Sequence, residues 1–322
     1  MENIELEVNK RQYIDEHCIH VQYRNLQRVV DLRRLAMKRS TILFVLPTLF
    51  FGAVLVYMVL WDAYYSLTDW SSAHIVPQLV GFKTIATTVS DPSFSNALDH
   101  SAIISVVAVA AGNLLGVSVA GLLYFLKSSK RKVGYMSIFI YPLAISMSSN
   151  ALIWLWLFNP SLGFNWLLKS VSLPAYTWLS STSTQLPSFL ILVIWAYSGL
   201  AVIFYLASFL GIDRTIIEAA KLDGASDFKI FRKLLVPNSM NGFIVATALL
   251  FLFSFRIFSL SYVIGGGPTN PGYQTMVMYS YYLFYTESFA QAASVSVVIT
   301  LIAALIVIPY AIFGIRRWIT HG

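Results

Sequence analysis

Hydrophobic residues are arranged along this chain in six long runs that are separated by shorter polar stretches. Each run holds roughly 20 or more mostly apolar residues, the length that a helix needs to cross a bilayer at about 1.5 Å per residue. The six predicted spans are residues 41–61, 101–126, 133–158, 187–211, 239–263 and 290–314. The pattern therefore predicts an all-α integral membrane protein with six transmembrane helices.

The overall composition agrees with a membrane protein. Hydrophobic residues make up 57% of the chain and charged residues only 11%, whereas soluble domains carry about 25% charged residues. The first apolar run begins only after some forty residues and is not followed by a small-residue cleavage site. We therefore expect it to be a retained span and not a signal peptide.

The distribution of basic residues predicts the orientation in the membrane. With the N-terminus inside, 19 of the 22 Lys and Arg residues fall on one side, and only Lys83 and Lys169 fall on the other. Cytoplasmic loops carry an excess of Lys and Arg, so both termini are predicted to be cytoplasmic, in a multi-pass protein of the cell membrane. The net charge of +7 is thus explained by topology, and nucleic-acid binding is not predicted.

Three regions follow from this layout. Residues 1–40 are predicted to be a cytoplasmic segment that forms an amphipathic helix from about Asp15, residues 41–314 the six-span domain, and residues 315–322 a cytoplasmic tail. His17, Cys18 and His20 have a spacing that could suit a metal, but three ligands in one turn without a second cluster are a weak pattern. We predict no metal site.

Residues 218–237, EAAKLDGASDFKIFRKLLVP, stand out because they bring charged side chains into an apolar chain. A helix is predicted to end at Gly224, which readily adopts the left-handed conformation of a helix C-cap. Ser226 or Asp227 then caps a second helix, which Pro237 is expected to stop. This short helical element, with its small side chains, is suited to insertion into a groove of another protein.

The same stretch resembles the cytoplasmic loop of permease subunits of type I ABC importers. The residues that carry the resemblance are Glu218, Ala219, Ala220, Asp223, Gly224 and Ala225, followed by Phe231 and Pro237. In that family the loop, here 212–237, is a coupling helix that docks on a dimer of ATPase subunits. The resemblance implies that these residues couple ATP hydrolysis to movement of the spans.

A second stretch, residues 255–275, resembles sugar importers of the maltose and glycerol-phosphate type. An aromatic-rich helix end is followed by Gly266, Gly267, Pro268 and then Thr275. The chain lacks the extra spans and the large external insertion of the larger maltose permease, so it is closer to six-span subunits that pair with a different permease. The resemblance implies a prokaryotic sugar importer with a second permease subunit and an extracellular or periplasmic solute-binding protein.

Candidates for the substrate path come from polar and aromatic side chains within the spans. A charge inside a membrane is a functional candidate, and Arg256 is the basic residue within a span, although snorkelling to the interface would also explain it. Aromatic faces and hydroxyl groups suit a sugar. The candidates are Trp195, Tyr197, Ser198, Phe253, Ser254 and Arg256; ordinary packing is the alternative for each.

Other polar residues of the spans favour helix–helix contacts. Thr247, Ser254 and Ser261 recur every seven residues and are predicted to share one face of the fifth span. Asn113 and Asn150 are expected to form interhelical hydrogen bonds.

Catalytic chemistry is not readable in the chain. It contains no Gly-Lys pair and hence no phosphate-binding loop of the usual pattern, so ATP and Mg²⁺ are assigned to the partner ATPase and no cofactor to this chain. The chain is therefore predicted not to be an enzyme. Two alternatives remain open: an ion-coupled secondary carrier, disfavoured because the spans lack a carboxylate at mid-depth, and a permease for another small polar solute.

Overall fold

The computed structural model describes residues 45–321, except the side chains of 311 and 313–321. The predicted N-terminal helix, together with His17, Cys18 and His20, lies outside the described residues. The chain divides into two compact units, Met1–Trp61 and Asp62–Gly322. The described residues of the first unit form most of one apolar helix, α1, which runs over Val45–Tyr65.

Within residues 45–321 the regular structure is helical, apart from one isolated antiparallel bridge between Thr68 and Leu79. The longer helices of the second unit are α2 Lys83–Val89, α3 Pro92–Phe125, α4 Ser129–Ala144, α5 Met147–Leu157, α6 Gly163–Ser170, α7 Thr182–Leu210, α8 Arg214–Leu222, α11 Met240–Phe255, α12 Ser259–Gly265, α13 Met276–Tyr285 and α14 Phe289–His321. Shorter pieces lie between α8 and α11: α9 Asp227–Ile230, a π-helix Phe231–Leu235 and α10 Val236–Asn238. A 3₁₀ turn, Pro271–Tyr273, precedes α13.

Five stretches of these described residues are long and apolar enough to cross a membrane, and the pair α4–α5 makes a sixth if it is counted as one span. The fold is thus the predicted all-α membrane fold, with five spans or, if the bent pair is one span, the predicted six. The last helix, α14, continues through residues 315–321, which were predicted to be a separate tail.

Three helices form the centre of the second unit. α3 and α7 form the most extensive helix pair, and α11 packs against both. Close approach depends on small residues, because a Cβ atom at Gly116 of α3 would lie only 2.4 Å from the Cβ of Ala201 on α7. Helix pairs in membranes are commonly built on such small-residue contacts, which let the backbones approach.

A polar group also ties the three central helices together. The amide of Asn113 on α3 donates to Thr247 Oγ1 on α11 at 3.0 Å, and its Oδ1 accepts from the Tyr205 hydroxyl of α7 at 3.0 Å. The predicted interhelical role of Asn113 is therefore confirmed. The same hydrogen bond gives Thr247, one of the three residues predicted to share a polar face, a partner on another helix.

The third predicted span is not a straight helix. α4 and α5 are bent by 103° where they meet. Ser146, between them, caps α5 by accepting from Ser149 N, and Asn150 of α5 donates to Pro142 O of α4 at 2.7 Å. Asn150 thus bonds between helices as predicted, but the two helices meet at a bend. Mean hydropathy did not reveal this bend, because it indicates only whether a segment lies in lipid or water and not the direction of the chain.

The fifth predicted span is also interrupted. Arg256 ends α11, and the helix resumes only at Ser259 as α12. The break leaves Ile257 O without a helical partner, and the hydroxyl of Thr275 donates to it at 2.9 Å. The break leaves Ser261 on α12, whereas Thr247 and Ser254 lie on α11.

The connection before the last span contains a buried helix. α13 packs on α14 and α3, with Met276, Tyr279 and Leu283 among its buried side chains. At its start, Thr275 accepts from Met278 N and Ser101 of α3 accepts from Met276 N at 2.8 Å. This connection, between the fifth and sixth predicted spans, therefore packs with one side of α13 against the helices of the second unit.

Candidate functional site

The first candidate site is the segment between α7 and α11. Asp213 caps α8 by accepting from Thr215 N at 2.9 Å, and this backbone hydrogen bond, with a side-chain bond from Thr215, lowers the pKa of Asp213. α8 ends at Leu222, and Gly224, just beyond the C-cap residue Asp223, has a left-handed φ of 72° as predicted. Helix α8 is thus defined at both ends by short-range interactions of its own sequence.

The alanines of this segment have a definite role in its C-terminal turn. The N–H of Gly224 bonds to Lys221 O at 3.0 Å and the N–H of Ala225 bonds to Ala220 O at 2.9 Å. This pair of bonds is the Schellman motif, which places the side chains of the two alanine positions, 220 and 225, where they can meet. Both alanines pack against the main hydrophobic core, as does the buried Ile217.

The opposite side of α8 faces outward. Glu218, Ala219, Asp223 and Gly224 are exposed, and Leu222 is 89% exposed. A Cβ atom added at Gly224 would meet nothing within 4 Å. This side of α8, with Leu222 beside charged and small side chains, is therefore accessible to another protein.

Pro237 does not stop the second helix, contrary to the sequence prediction. Ser226 caps α9 by accepting from Lys229 N, but the helix then widens into the π-helix Phe231–Leu235 and continues to Asn238. A proline inside a helix removes one N–H and crowds the preceding turn. The wider turn accommodates it, and the N–H of Val236 bonds instead to Phe231 O.

Phe231 connects this segment to the central helices. A Cβ atom at Gly121 of α3 would lie 2.4 Å from the Phe231 ring, so the ring rests directly on the α3 backbone. The Phe231 and Phe209 rings, the latter on α7, meet edge to face with centroids 6.2 Å apart. Phe231 therefore links the segment between α7 and α11 to both α3 and α7 by direct contacts.

The second candidate site, which we call the central cavity, has a volume of about 430 Å³ and lies where the two broken spans meet. Its lining residues are Met147, Tyr197, Leu249, Leu252, Phe253, Arg256, Ile257, Phe258, Ser259 and Leu260. The bend between α4 and α5 contributes Met147, and the break after α11 contributes Arg256 to Leu260.

Three of the six predicted path residues come together in the central cavity. The rings of Tyr197 and Phe253 are stacked, with centroids 5.9 Å apart and an interplanar angle of 13°. Arg256 lies one turn beyond Phe253 and is exposed. Within the described part of the chain it has no ion-pair partner, so its guanidinium is free to donate hydrogen bonds into the cavity.

The other three predicted residues lie elsewhere. Ser254 is fully buried and its hydroxyl donates to Leu250 O at 2.6 Å, within its own helix. Trp195 packs edge to face on Trp154 of α5 with centroids 5.6 Å apart, and Ser198 is buried in α7 outside the cavity lining. Met147 and Phe258 line the cavity but carried no signal in the sequence, because only the bend and the break bring them there.

Residues 112–319 match the family described as the binding-protein-dependent transport system inner membrane component. The chain belongs to this family. The matched region contains α8 and every residue that lines the central cavity, and it identifies the chain as a transport permease.

Two relatives show how far the similarity extends. The permease is 54% identical over 283 residues to the glucose import system permease protein GlcT of Saccharolobus solfataricus, a match that covers 88% of this chain and 99% of that protein. It is 29% identical over 277 residues to a probable ABC transporter permease of Pyrococcus horikoshii, covering 84% and 93% of the two chains.

The solved structures agree on the fold. The permease superposes with a TM-score of 0.73 on a chain of a bacterial ABC transporter involved in the import of the polysaccharide alginate. The match covers 87% of this chain and 96% of that chain at 20% identity. The permease therefore has an ABC importer fold, and the family match decides against an ion-coupled secondary carrier.

Proposed function

We propose that this permease is the membrane-spanning subunit of an ATP-driven importer for a hexose, with glucose as the first substrate to test. The observation that carries the proposal is the 54% identity, over 99% of its length, to a protein named as a glucose import permease. A permease for another small polar solute is the competing outcome.

The α8 segment is proposed as the coupling element for a separate ATPase dimer, which binds ATP and Mg²⁺. Its supporting features are the buried Ile217 on one side and the exposed Glu218, Asp223 and Leu222 on the other. Closure of the ATPase dimer displaces this exposed side, and the contact of Phe231 with Gly121 and Phe209 carries the displacement into α3 and α7.

The membrane orientation is proposed to place the coupling segment and both termini in the cytoplasm. The contact between Phe231 and Gly121 puts the end of α3 and the coupling segment at the same end of the second unit. The basic residues of 127–132 follow that end of α3. The excess of basic residues is therefore concentrated at one end, as expected for the cytoplasmic side.

The central cavity is proposed as this subunit's part of the sugar path. The stacked Tyr197 and Phe253 offer an aromatic edge and face for the apolar side of a pyranose, and Arg256 supplies donors for its hydroxyl groups. We propose that a second, related permease completes this path and that a solute-binding protein delivers the sugar. Transport then alternates between outward and inward access.

The decisive experiment compares two substitutions at Gly224 in the complex purified with its natural partners. Asn tolerates the left-handed conformation, so Gly224→Asn keeps the turn and adds a small side chain. Gly224→Arg adds a long cation whose Cβ meets nothing within 4 Å and which would project into a docked ATPase. ATP-dependent uptake of radiolabelled glucose into proteoliposomes should persist with Asn and be lost with Arg.

The amount of ATPase that purifies with each variant shows whether loss of uptake comes from lost docking or from uncoupled ATP hydrolysis. We expect the Gly224→Arg permease to insert and to purify with less ATPase or with uncoupled ATP hydrolysis. Normal coupling in that variant would refute the docking role of α8. Uptake of an unrelated solute, but not of glucose or other hexoses, by the unsubstituted complex would refute the substrate.

A further inference from the structure

Helix α4 has two opposite faces with different surroundings. Its inner face packs against the main hydrophobic core through Met136, Phe139 and Leu143. A Cβ atom added at Gly199 of α7 would collide with the carbonyl oxygen of Phe139, so this face lies directly on the α7 backbone. The opposite side of the helix, which we call the α4 outer face, carries six exposed residues: Lys130, Arg131, Gly134, Tyr135, Ile138 and Tyr141.

The outer face begins at a cluster of four cations. Lys127, Lys130, Arg131 and Lys132 occupy four of the six positions that join the end of α3 to the first turn of α4. Lys132 is half-buried and donates to Tyr124 O at 3.5 Å, whereas the other three are exposed. None of the four forms an ion pair with a residue of the described part of the chain.

The surrounding sequence offers these cations no counter-charge. No Asp or Glu occurs between Asp99 and Asp213, and the first turn of α4 contains no acidic residue. Three of the four cations lie in that turn, where the helix dipole adds a partial positive charge, so each is repelled by the others and by the helix end. An anion is therefore the partner that this end of α4 lacks.

The rest of the outer face is apolar and has about the length of one lipid leaflet. Tyr135, Ile138 and Tyr141 follow the cations, and the helix rises by roughly 16 Å from Lys130 to Tyr141. Half of the hydrocarbon core of a bilayer is about 15 Å thick. Because the cluster lies between two apolar spans, its charges lie at the level of the headgroups and the apolar side chains lie beside the hydrocarbon chains.

We propose that the α4 outer face binds an anionic membrane lipid. The phosphate lies among Lys127, Lys130 and Arg131, and a hydrocarbon chain lies along the apolar side chains that follow them. Lys and Arg next to a membrane strengthen the attraction of anionic headgroups by about 5-fold per residue. No residue of the outer face lines the central cavity, so this site goes beyond the proposed transport function and does not depend on the solute.

A fluorescent probe on the outer face tests the proposal. Cys18 is the single cysteine, so Cys18→Ser with Gly134→Cys leaves one thiol in this chain, at a position where a Cβ atom meets nothing within 4 Å. The purified complex is labelled with bimane, and the complex with Cys18→Ser alone gives the background from the other subunits. Both are placed in phosphatidylcholine vesicles.

The vesicles contain one of two quenchers, phosphatidylglycerol or phosphatidylcholine, each with a nitroxide on its acyl chain. The two quenchers differ only in the headgroup, so a difference between them reports the charge of the lipid beside position 134. We expect phosphatidylglycerol to reach half-quenching at a mole fraction roughly 5-fold or more below that of phosphatidylcholine. Equal quenching by the two lipids would overturn the proposal.

Two sets of substitutions at the same three positions separate charge from shape. Lys127→Gln, Lys130→Gln and Arg131→Gln together should abolish the preference for phosphatidylglycerol. The matched control, Lys127→Arg, Lys130→Arg and Arg131→Lys, keeps every charge and should keep the preference. If the preference survives the three Gln substitutions, these cations do not bind the lipid and the proposal is wrong.

A probe on another helix controls for the vesicles. Leu305 is exposed and lies in the apolar part of α14, which carries no Lys or Arg before Arg316. Bimane at Leu305→Cys should be quenched equally by the two lipids. Quenching at position 305 without any quenching at position 134 would show that a protein surface covers the α4 outer face, and this too would overturn the proposal.

The remaining occupants of the cation cluster are a free anion and the ATPase. A rise in melting temperature with inorganic phosphate, compared with sodium chloride at the same ionic strength, would assign the cluster to a free anion if the lipid preference is absent. Less ATPase in the purified Gln variant, with the lipid preference unchanged, would assign it to the ATPase. Either result would refute the lipid site and leave the proposed transport function unaffected.

Discussion

Gly116 of α3 faces Ala201 of α7, and adding one methyl group there tests whether small residues set the spacing of the central helices. In Gly116→Ala the new Cβ would lie 2.4 Å from the Cβ of Ala201 and 3.0 Å from its carbonyl carbon. Carbon atoms in good contact are about 3.5–4.0 Å apart. Backbone atoms cannot rotate away as a flexible side chain can, so α3 and α7 have to separate by roughly 1 Å.

Two opposing contributions to the free energy of unfolding determine how much Gly116→Ala changes the stability. Overpacking of a tight contact costs about 1–3 kcal/mol, while replacing Gly by Ala inside a helix gains up to about 1 kcal/mol. Gly134→Ala on α4 separates them, because a Cβ at Gly134 meets nothing within 4 Å. The change in stability of Gly134→Ala therefore measures the gain from helix propensity alone. The free energies of unfolding of the two variants should differ by about 1–3 kcal/mol.

Thermal unfolding of the detergent-solubilised complex measures this difference. We expect the melting temperature to fall for Gly116→Ala and to stay equal or rise for Gly134→Ala. Ala201→Gly, which removes the atom that the new methyl group meets, should restore much of the loss in the double variant, as a coupled pair requires. A Gly116→Ala complex as stable as Gly134→Ala would refute the packing argument.

Two further predictions concern the break between α11 and α12 and the segment between α7 and α11. Thr275→Val removes the donor to Ile257 O and the cap of α13, so it should lower the free energy of unfolding by about 1–3 kcal/mol. Thr275→Ser keeps the hydroxyl and should lower it less. Equal melting temperatures for the two variants would contradict the role of that bond. The pKa of Asp213 is lowered from its ordinary value of 3.8 by the hydrogen bonds from Thr215, so its cap is fully present above that pH and is lost as the pH falls through the lower folded value. Hydrogen exchange of 214–222, corrected for intrinsic rates, should therefore rise below pH 3.8 in the unsubstituted chain but not in Asp213→Asn, and the same rise in both would count against the cap.

The coupling segment shows what a local sequence can predict. The cap at Gly224 follows from a conformation that glycine adopts readily, and the Ser226 cap from a bond three residues along the chain. Both were predicted correctly because the interacting groups are neighbours in sequence. The prediction for Pro237 was wrong because the helix widens into a π-turn before it, and Phe231, where that turn begins, packs on the distant helices α3 and α7.

The central cavity shows where prediction from sequence stops. Tyr197 and Trp195 are two residues apart on α7 and have similar chemistry, yet one lines the cavity and the other packs on Trp154. Two residues apart on a helix means nearly opposite faces, and the sequence does not state which face meets α11. Ser254 was expected in the path, but its hydroxyl is used within its own helix.

The sequence by itself determined the solvent and the local turns of this permease: six apolar runs require a bilayer, and the caps at Asp213, Gly224 and Ser226 require only neighbouring residues. The tertiary structure alone decided that two of the spans are broken and that their breaks meet at one cavity. Mean hydropathy over a window does not report where a helix breaks, whereas the break after α11 also depends on a distant contact, the bond of Thr275 with Ile257 O. The site depends on those contacts, and so it exists only in the folded chain.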